Sequence, residues 1–400
     1  MEKIKIVNLT KIFGAYPHKA MQLLEQGLSK DEIFNETGQA VGLSNVSFSV
    51  QAGEILVVMG LSGSGKSTLI RCINRLIEPT RGQIIIDDQD ITRLDRTALL
   101  QLRQHKFGMV FQHFALFPHR SVLRNVEYGL EIQGMEVLQR REKARQSLKL
   151  VGLEGWENAL PRQLSGGMQQ RVGLARALAV DPAILLMDEA FSALDPLIRA
   201  DMQHELVSLQ ARMRKTILFI THDLDEALKI GNRVILMKDA RIVQIGTPEE
   251  ILTSPADEYV ARFVENVDKS KVLTAQSVLS KNSAVVYVDD GPLTTLHKMR
   301  DQAISSIFVI RRDDTLEGVL QLEEASRAVE RGEKTIENLI ERNVPEVLPT
   351  ASLNTVISIL ARWPLPIPVV NEQRKLQGIV LKNAVLAALA KKELSNDGRF

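Results

Sequence analysis

The run Gly60-Leu61-Ser62-Gly63-Ser64-Gly65-Lys66-Ser67-Thr68 combines three glycines, a lysine and neighbouring hydroxyls, a set suited to holding phosphate. Its fixed positions are those of G-x-x-x-x-G-K-[ST]. The glycines let successive backbone N–H groups converge on phosphate oxygens, reinforced by the N-terminus of a helix that Thr68-Leu69-Ile70-Arg71-Cys72-Ile73 continues. Lys66 brings a mobile positive charge to the outer phosphates, and the Ser67 hydroxyl is placed to ligate Mg2+. The apolar run Ile55–Met59 just ahead reads as a buried strand, so the setting is strand, loop, helix. These residues predict a nucleoside triphosphate site.

About a hundred residues on, Leu164-Ser165-Gly166-Gly167-Met168-Gln169-Gln170-Arg171 leads into a helical run from Val172 to Ala179. Then Ile184-Leu185-Leu186-Met187-Asp188-Glu189 ends a strand-like apolar run on paired carboxylates. With these motifs residues 1–250 resemble the ATP-binding subunits of ABC transporters, whose signature reads L-S-G-G-Q; Met168 stands where most members have Gln. The resemblance assigns Gln112 to the Q-loop, Ser192-Ala193-Leu194-Asp195 to the D-loop and His222 to the switch histidine. It implies a fold with a RecA-like α/β core plus antiparallel β and helical subdomains. It also implies that Ser165, Gly166 and Gly167 act in trans, on ATP held by a second copy. One phosphate loop and one signature per chain then predict a homodimer with two composite sites.

Hydrolysis of a terminal phosphate is chiefly positioning and charge stabilisation. Asp188 is suited to hold Mg2+ opposite Ser67 and the Gln112 side-chain oxygen, while Glu189, one residue further, can accept a proton from the attacking water. Lys66 and His222 complete the expected catalytic set. The other histidines (His18, His105, His113, His119, His204 and His297) read as surface or packing residues. Phe13 holds the place of the family's adenine-stacking aromatic, although a Phe near a strand end also serves as core.

The 400 residues suggest two or three domains, and a net charge of +1 supplies no basic field for nucleic acid. The lone Cys72 rules out a disulfide within the chain and reads as a small buried apolar residue. Met1-Glu2-Lys3-Ile4-Lys5 reads as the start of an amphipathic strand rather than a secretion signal. No window approaches eighteen uninterrupted apolar residues, so the expected channel is a separate integral-membrane permease.

An insertion occupies residues 15–40. Tyr16 to Gln26 reads as a helix stopped by Gly27, and Ser29-Lys30-Asp31-Glu32 forms a capping box for a short second helix that Thr37-Gly38 ends. With this insertion, Asn74-Arg75-Leu76-Ile77-Glu78-Pro79-Thr80 and Met187 to Pro196, the whole chain resembles one group. These are the ATP-binding subunits of glycine betaine/proline-betaine importers, the ProV and OpuAA kind.

Beyond a boundary expected near Asn266–Leu273, an ungapped repeat runs at an offset of sixty. Leu293, Leu296 and Met299 recur as Leu353, Val356 and Ile359; Ile307 and Val309 as Ile367 and Val369; Leu316, Gly318 and Val319 as Leu376, Gly378 and Ile379. Each copy reads helix, strand, polar turn, strand, helix. The pair resembles tandem cystathionine-β-synthase (CBS) domains. The expected division is 1–268 for the ATPase domain, 273–332 and 333–392 for the CBS copies, and 393–400 for a tail. Where nucleotide-binding CBS domains carry Thr or Ser and then Asp, this chain has Gln321 and Glu324, then Leu381 and Ala384, which argues against a conventional AMP or ATP site. A cyclic dinucleotide, ionic strength or anionic lipid stay open as the input. For lipid, the candidates are Lys298, Arg300, Arg311, Arg312, Arg374, Lys375, Lys391 and Lys392.

The expected protein is therefore the ATP- and Mg2+-dependent subunit of an osmoprotectant importer, at the cytoplasmic face of the inner or plasma membrane. It works with a permease and an extracytoplasmic substrate-binding protein or domain. An importer for choline, carnitine or another amine or amino acid is the alternative within the class. A soluble ABC ATPase acting on nucleic acid or ribosomes is the alternative outside it, disfavoured by the neutral charge.

Overall fold

The computed structural model describes residues 1–265, 267–281 and 284–390. Asn266, Lys391, Lys392 and the tail 393–400 lie outside the described residues. The chain forms two compact units, Met1–Val264 and Glu265–Phe400.

In the first unit, one sheet is antiparallel, ordered β2-β1-β4-β5: β1 (Glu2–Phe13), β2 (Ala40–Gln51), β4 (Arg81–Ile86) and β5 (Gln89–Asp90). The other is ordered β10-β9-β3-β8-β7-β6: β3 (Ile55–Gly60), β6 (Phe107–Phe111), β7 (Ile184–Asp188), β8 (Thr216–Ile220), β9 (Arg233–Lys238) and β10 (Arg241–Gly246). All its pairings are parallel except β9 with β10. The central strands are unbroken apolar runs because a parallel sheet is covered on both faces. Every residue of β3 and β8 is buried. Ile4, Ile6, Val46 and Phe48 of the antiparallel sheet share one core with Leu56, Val58, Leu69, Leu186 and Leu218. Cys72 is sealed in this core, and burial pushes its thiol up to about 12.

The insertion forms helices Pro17–Glu25 and Lys30–Thr37. Ser29 and Glu32 make the reciprocal capping box, and Gly38 ends the second helix in the left-handed conformation. Ala20 and Ile33 anchor both helices on Ile12. The signature helix, Gly166–Ala179, begins immediately after Ser165, whose side chain caps it by accepting from the Met168 N–H.

The second unit contains the repeat as two three-stranded sheets. The first copy has the order β12-β13-β14, and β11-β16-β15 contains the second copy's strands. These strands are β11 (Leu279–Ser280), β12 (Val285–Tyr287), β13 (Ser306–Ile310), β14 (Leu316–Gln321), β15 (Ile367–Val370) and β16 (Leu376–Val380). The copies exchange their leading segments. Residues 273–280 pack on the second copy, where β11 pairs with β16, while Ile336 to Glu341 pack on the first, where Glu341 bridges Val319. Phe308, Ile310 and Val319 also meet Val370, Leu376 and Ile379 in a shared core.

The expected helix face is corrected in the first copy. Leu293 is 56% exposed, and the buried positions are Pro292, Thr295, Leu296 and Met299. At 3.6 residues per turn an i, i+3, i+4, i+7 stripe stays on one face, whereas i, i+3, i+6 drifts off it. The proposed lipid-facing bases are largely engaged within the unit. Lys298 donates to the Val285 carbonyl, Arg311 pairs with Glu317, Arg312 with Asp289 and Arg374 with Glu346.

The exchange needs glycine at two positions related by the repeat. A Cβ on Gly318 would lie 2.3 Å from the Glu341 carbonyl oxygen, and one on Gly378 (φ +156°) 2.6 Å from that of Ser280. Gly318→Ala and Gly378→Ala are each expected to destabilise the second unit by about 1–3 kcal/mol, the usual range for overpacking. The thermal transition of the first unit should stay where it is. Scanning calorimetry checks this; two unshifted second-unit transitions would contradict the exchange.

Candidate nucleotide-hydrolysis site

Strand register assembles the site. Val58 of β3 lies opposite Ile220 of β8, Ile220 opposite Asp188 of β7, and Asp188 opposite Phe111 of β6. The residues that follow these strands therefore leave the sheet along one edge: the glycine loop, Thr221-His222, Glu189 and Gln112. Crevices at the carboxyl ends of parallel strands are where such sheets bind ligands.

A cavity of about 610 Å³ opens there, lined by Gly42, Leu61, Ser62, Gly63, Gly65, Lys66, Ser67, Thr68, Glu189 and His222. Gly65 has φ +103°, and a Cβ on it would lie 2.5 Å from the Gly42 carbonyl oxygen. The Ser64 hydroxyl is buried without a partner among the described residues. Lys66 curls into its own loop, donating to the carbonyls of Gly60 (2.8 Å) and Leu61 (3.0 Å). Burial holds its ammonium below the usual lysine range, against the pull of Glu189 and Asp188. The glycine cradle and a desolvated cation fit a bound polyphosphate.

The Ser67 hydroxyl donates to Asp188 Oδ1 at 3.3 Å. Two hard oxygen donors side by side suit Mg2+ completed by water and phosphate oxygens. Burial raises the Asp188 carboxyl despite the nearby charge of Arg71. Glu189 sits in the left-handed region (φ 46°), its N–H held by the Ile220 carbonyl at 3.0 Å. A left-handed non-glycine residue at this turn is local backbone strain. Glu189 Oε2 lies 3.2 Å from His222 Nδ1, the ring donating to the carboxylate.

Of the sequence-predicted residues, the fold gathers the glycine loop, Lys66, Ser67, Thr68, Asp188, Glu189 and His222. Gln112 follows β6 at the same edge but is not among the cavity-lining residues. Phe13, 38% exposed, borders Gly42: a Cβ on that glycine would lie 2.6 Å from its ring. Ser165, Gly166, Gly167 and Asp195 lie outside the lining, at the starts of helices Gly166–Ala179 and Pro196–Met213. The six remaining histidines are all exposed. Sequence reasoning missed Gly42; a glycine inside strand β2 was the available signal, since it marks close approach of another backbone.

Comparison with known proteins agrees with this geometry. The ABC transporter family profile matches residues 43–192, and the CBS domain profile matches 336–391, the second repeat copy. The chain is 52% identical over 395 residues to the glycine betaine/carnitine transport ATP-binding protein GbuA of Listeria monocytogenes, covering 99% of each. It is 53% identical over 388 residues to the glycine betaine transport ATP-binding protein OpuAA of Bacillus subtilis, covering 97% of this chain and 92% of that one. Among solved structures, the dimeric post-hydrolysis state of the ATP-binding cassette MJ0796, bound to ADP and Pi, superposes with a TM-score of 0.52 at 34% identity. It covers 61% of this chain and 98% of that one.

A raised Asp188 pKa means that the ligand-free fold disfavours the ionised form. Its cost is present above the folded pKa and fades as pH falls through it toward the unfolded value. Asp188→Asn is therefore expected to raise the thermal midpoint of the nucleotide-free protein near pH 7–8. The gain should vanish in acid, and the stabilisation by Mg2+ with ATP should be lost. Thermal unfolding across pH checks this; a lower midpoint at neutral pH would contradict it. From its strand register to its full-length likenesses, this chain belongs to the ATP-binding proteins of the ABC transporter family, an ABC ATPase cassette followed by CBS-type repeats.

Proposed function

We propose that the chain is the ATP-hydrolysing subunit of an importer for a quaternary-ammonium osmoprotectant such as glycine betaine. The Glu189–His222 contact beside the phosphate cradle carries the hydrolytic part. Near-complete coverage of relatives whose names specify glycine betaine transport supports the substrate class. Among the described residues no helix is long and apolar enough to cross a membrane, so an integral-membrane permease supplies the path, with an extracytoplasmic protein or domain capturing the solute.

In this reading the backbone N–H groups of the glycine loop and Lys66 hold the β- and γ-phosphates of ATP, and Phe13 stacks on adenine. Ser67, Asp188 and Gln112 hold Mg2+, which when bound offsets charge on the phosphates. Glu189 orients the attacking water and takes its proton, and His222 holds the Glu189 carboxylate and faces the terminal phosphate. Ser165, Gly166 and Gly167 close over ATP held by a second copy, with the Asp195 loop beside them. Two copies then make two sites. The CBS repeats regulate the cycle, through a cyclic dinucleotide or through charge at an anionic lipid surface.

Glu189→Gln is expected to keep ATP binding while lowering hydrolysis about 10²–10⁴-fold, as for loss of a general base. In vesicles carrying the permease and binding protein, uptake of radiolabelled glycine betaine should stop with it. Hydrolysis within a few-fold of wild type would overturn the catalytic assignment. Uptake of carnitine or choline but not glycine betaine would move the substrate within the class; GbuA is named for carnitine as well as glycine betaine.

The first unit has its own core, so a chain ended after Val264 is expected to fold and to support transport. Transport should lose its response to internal salt or to an added cyclic dinucleotide. Charges couple over about 8–10 Å at physiological ionic strength and less at higher salt. Varying salt and the anionic-lipid fraction in vesicles checks this; a full-length salt response in the truncated chain would leave the repeats a scaffolding role.

A further inference from the structure

Helices Pro196–Met213 and Leu224–Ile230 start side by side, each capped by an aspartate: Asp195 accepts from the Ile198 N–H and Asp223 from the Glu226 N–H. The segment leading into the first is Ser192 to Asp195, with Asp195 exposed and Leu197 just after it 80% exposed. The segment leading into the second carries His222. Arg199, one turn into the first helix, spans both. Its Nη2 donates to the carbonyls of Leu194 (3.0 Å) and Ser192 (3.4 Å), and its Nη1 donates to Asp223 Oδ2 (3.4 Å).

These contacts close a ring. Ser192 donates to the Glu189 carbonyl from both its N–H (3.1 Å) and its hydroxyl (2.9 Å). The Ser192 carbonyl accepts from Arg199, Arg199 pairs with Asp223, Asp223 adjoins His222, and His222 donates to the Glu189 carboxylate. One turn further along, Gln203 Nε2 donates to the buried Glu226 Oε1 (3.1 Å), and Gln203 Oε1 accepts from Lys229 (3.2 Å). That second link also joins the two helices, with Gln203 and Glu226 buried. The Arg199 link is looser: two of its contacts are at 3.4 Å, and its Nε is buried with no acceptor among the described residues. A planar guanidinium spreads its donors over separate nitrogens in a fixed fork, so Nη2 reaches the two loop carbonyls while Nη1 reaches the carboxylate.

We propose that Arg199 is a positioning residue that ties the Ser192–Asp195 loop to His222, so that displacement of the loop sets the His222–Glu189 contact. Within the loop Ala193 and Asp195 are exposed, and the loop runs directly into the first turn of the helix that carries Arg199. A shift there is passed to Asp223 through one side chain, and the unpaired Nε gives that side chain a donor for a second arrangement of the loop.

The proposal rests on the reading of Glu189 and His222 as the hydrolytic pair, and the test separates the two. In the full-length chain, Arg199→Ala is expected to lower kcat about 10-fold or more, the scale of a misplaced catalytic group. KM for ATP should stay within about two-fold, because no ATP-binding group is removed. Arg199→Lys, which keeps the charge toward Asp223 but not the fork, should recover part of kcat. Under single-turnover conditions, Arg199→Ala combined with His222→Ala should hydrolyse no more slowly than His222→Ala alone. Unchanged kcat in both Arg199 variants, or multiplied losses in the double variant, would overturn the proposal. If Arg199→Ala unfolds the protein, Arg199→Lys and its double variant with His222→Ala decide. If Glu189→Gln and His222→Ala themselves leave hydrolysis intact, it is the underlying reading that fails.

Discussion

Strand β8 lies between β3 and β7, and the placement of the site's chemistry depends on that pairing. Ile220 pairs with Val58 on one side and Asp188 on the other, and its carbonyl also accepts the Glu189 N–H. Three loops far apart in sequence thus leave one edge within reach of each other. A slip of one residue at β8 would shift Thr221 and His222 along the edge and carry His222 away from Glu189.

The site gathers opposite charges in a partly desolvated cleft, at a cost to the folded state. Lys66 is held below and Asp188 above their ordinary ranges, both chiefly through burial. Their local partners, two loop carbonyls for Lys66 and the Ser67 hydroxyl for Asp188, offset part of this. Groups arranged this way gain more from a charged ligand than they could in water, because the fold has already met the desolvation. The left-handed backbone at Glu189 adds local strain at the same place, kept by hydrogen bonds on both sides of the residue.

The second unit answers a different constraint. Each repeat copy is too small to enclose its own core, and each takes a leading segment from beside the other to cover it. Gly318 and Gly378 recur in register because a neighbouring carbonyl passes over each. The repeated glycine was plain in the sequence; its reason lies in the exchange, which brings Ser280 over Gly378 and Glu341 over Gly318 and has no local signature.

Local chemistry was legible wherever a short segment dictates its own conformation. The glycine loop, the Ser29–Glu32 capping box, the Gly38 helix stop, the buried strand before the loop and the repeat's alternation of helix and strand all follow from neighbours within a few residues. Motif order likewise pointed to the family and to the carboxylate and histidine of the site. Contacts between segments were not legible. Gly42 against Gly65, the swapped leading segments, the exposure of Leu293 and the Arg199 ring depend on which surfaces meet after the strands pair. Backbone propensity and patterning act over a few residues, so the sequence by itself determined the elements and the reactive groups on them. Burial and close approach arise between distant segments, so tertiary structure alone decided which of those groups face one another.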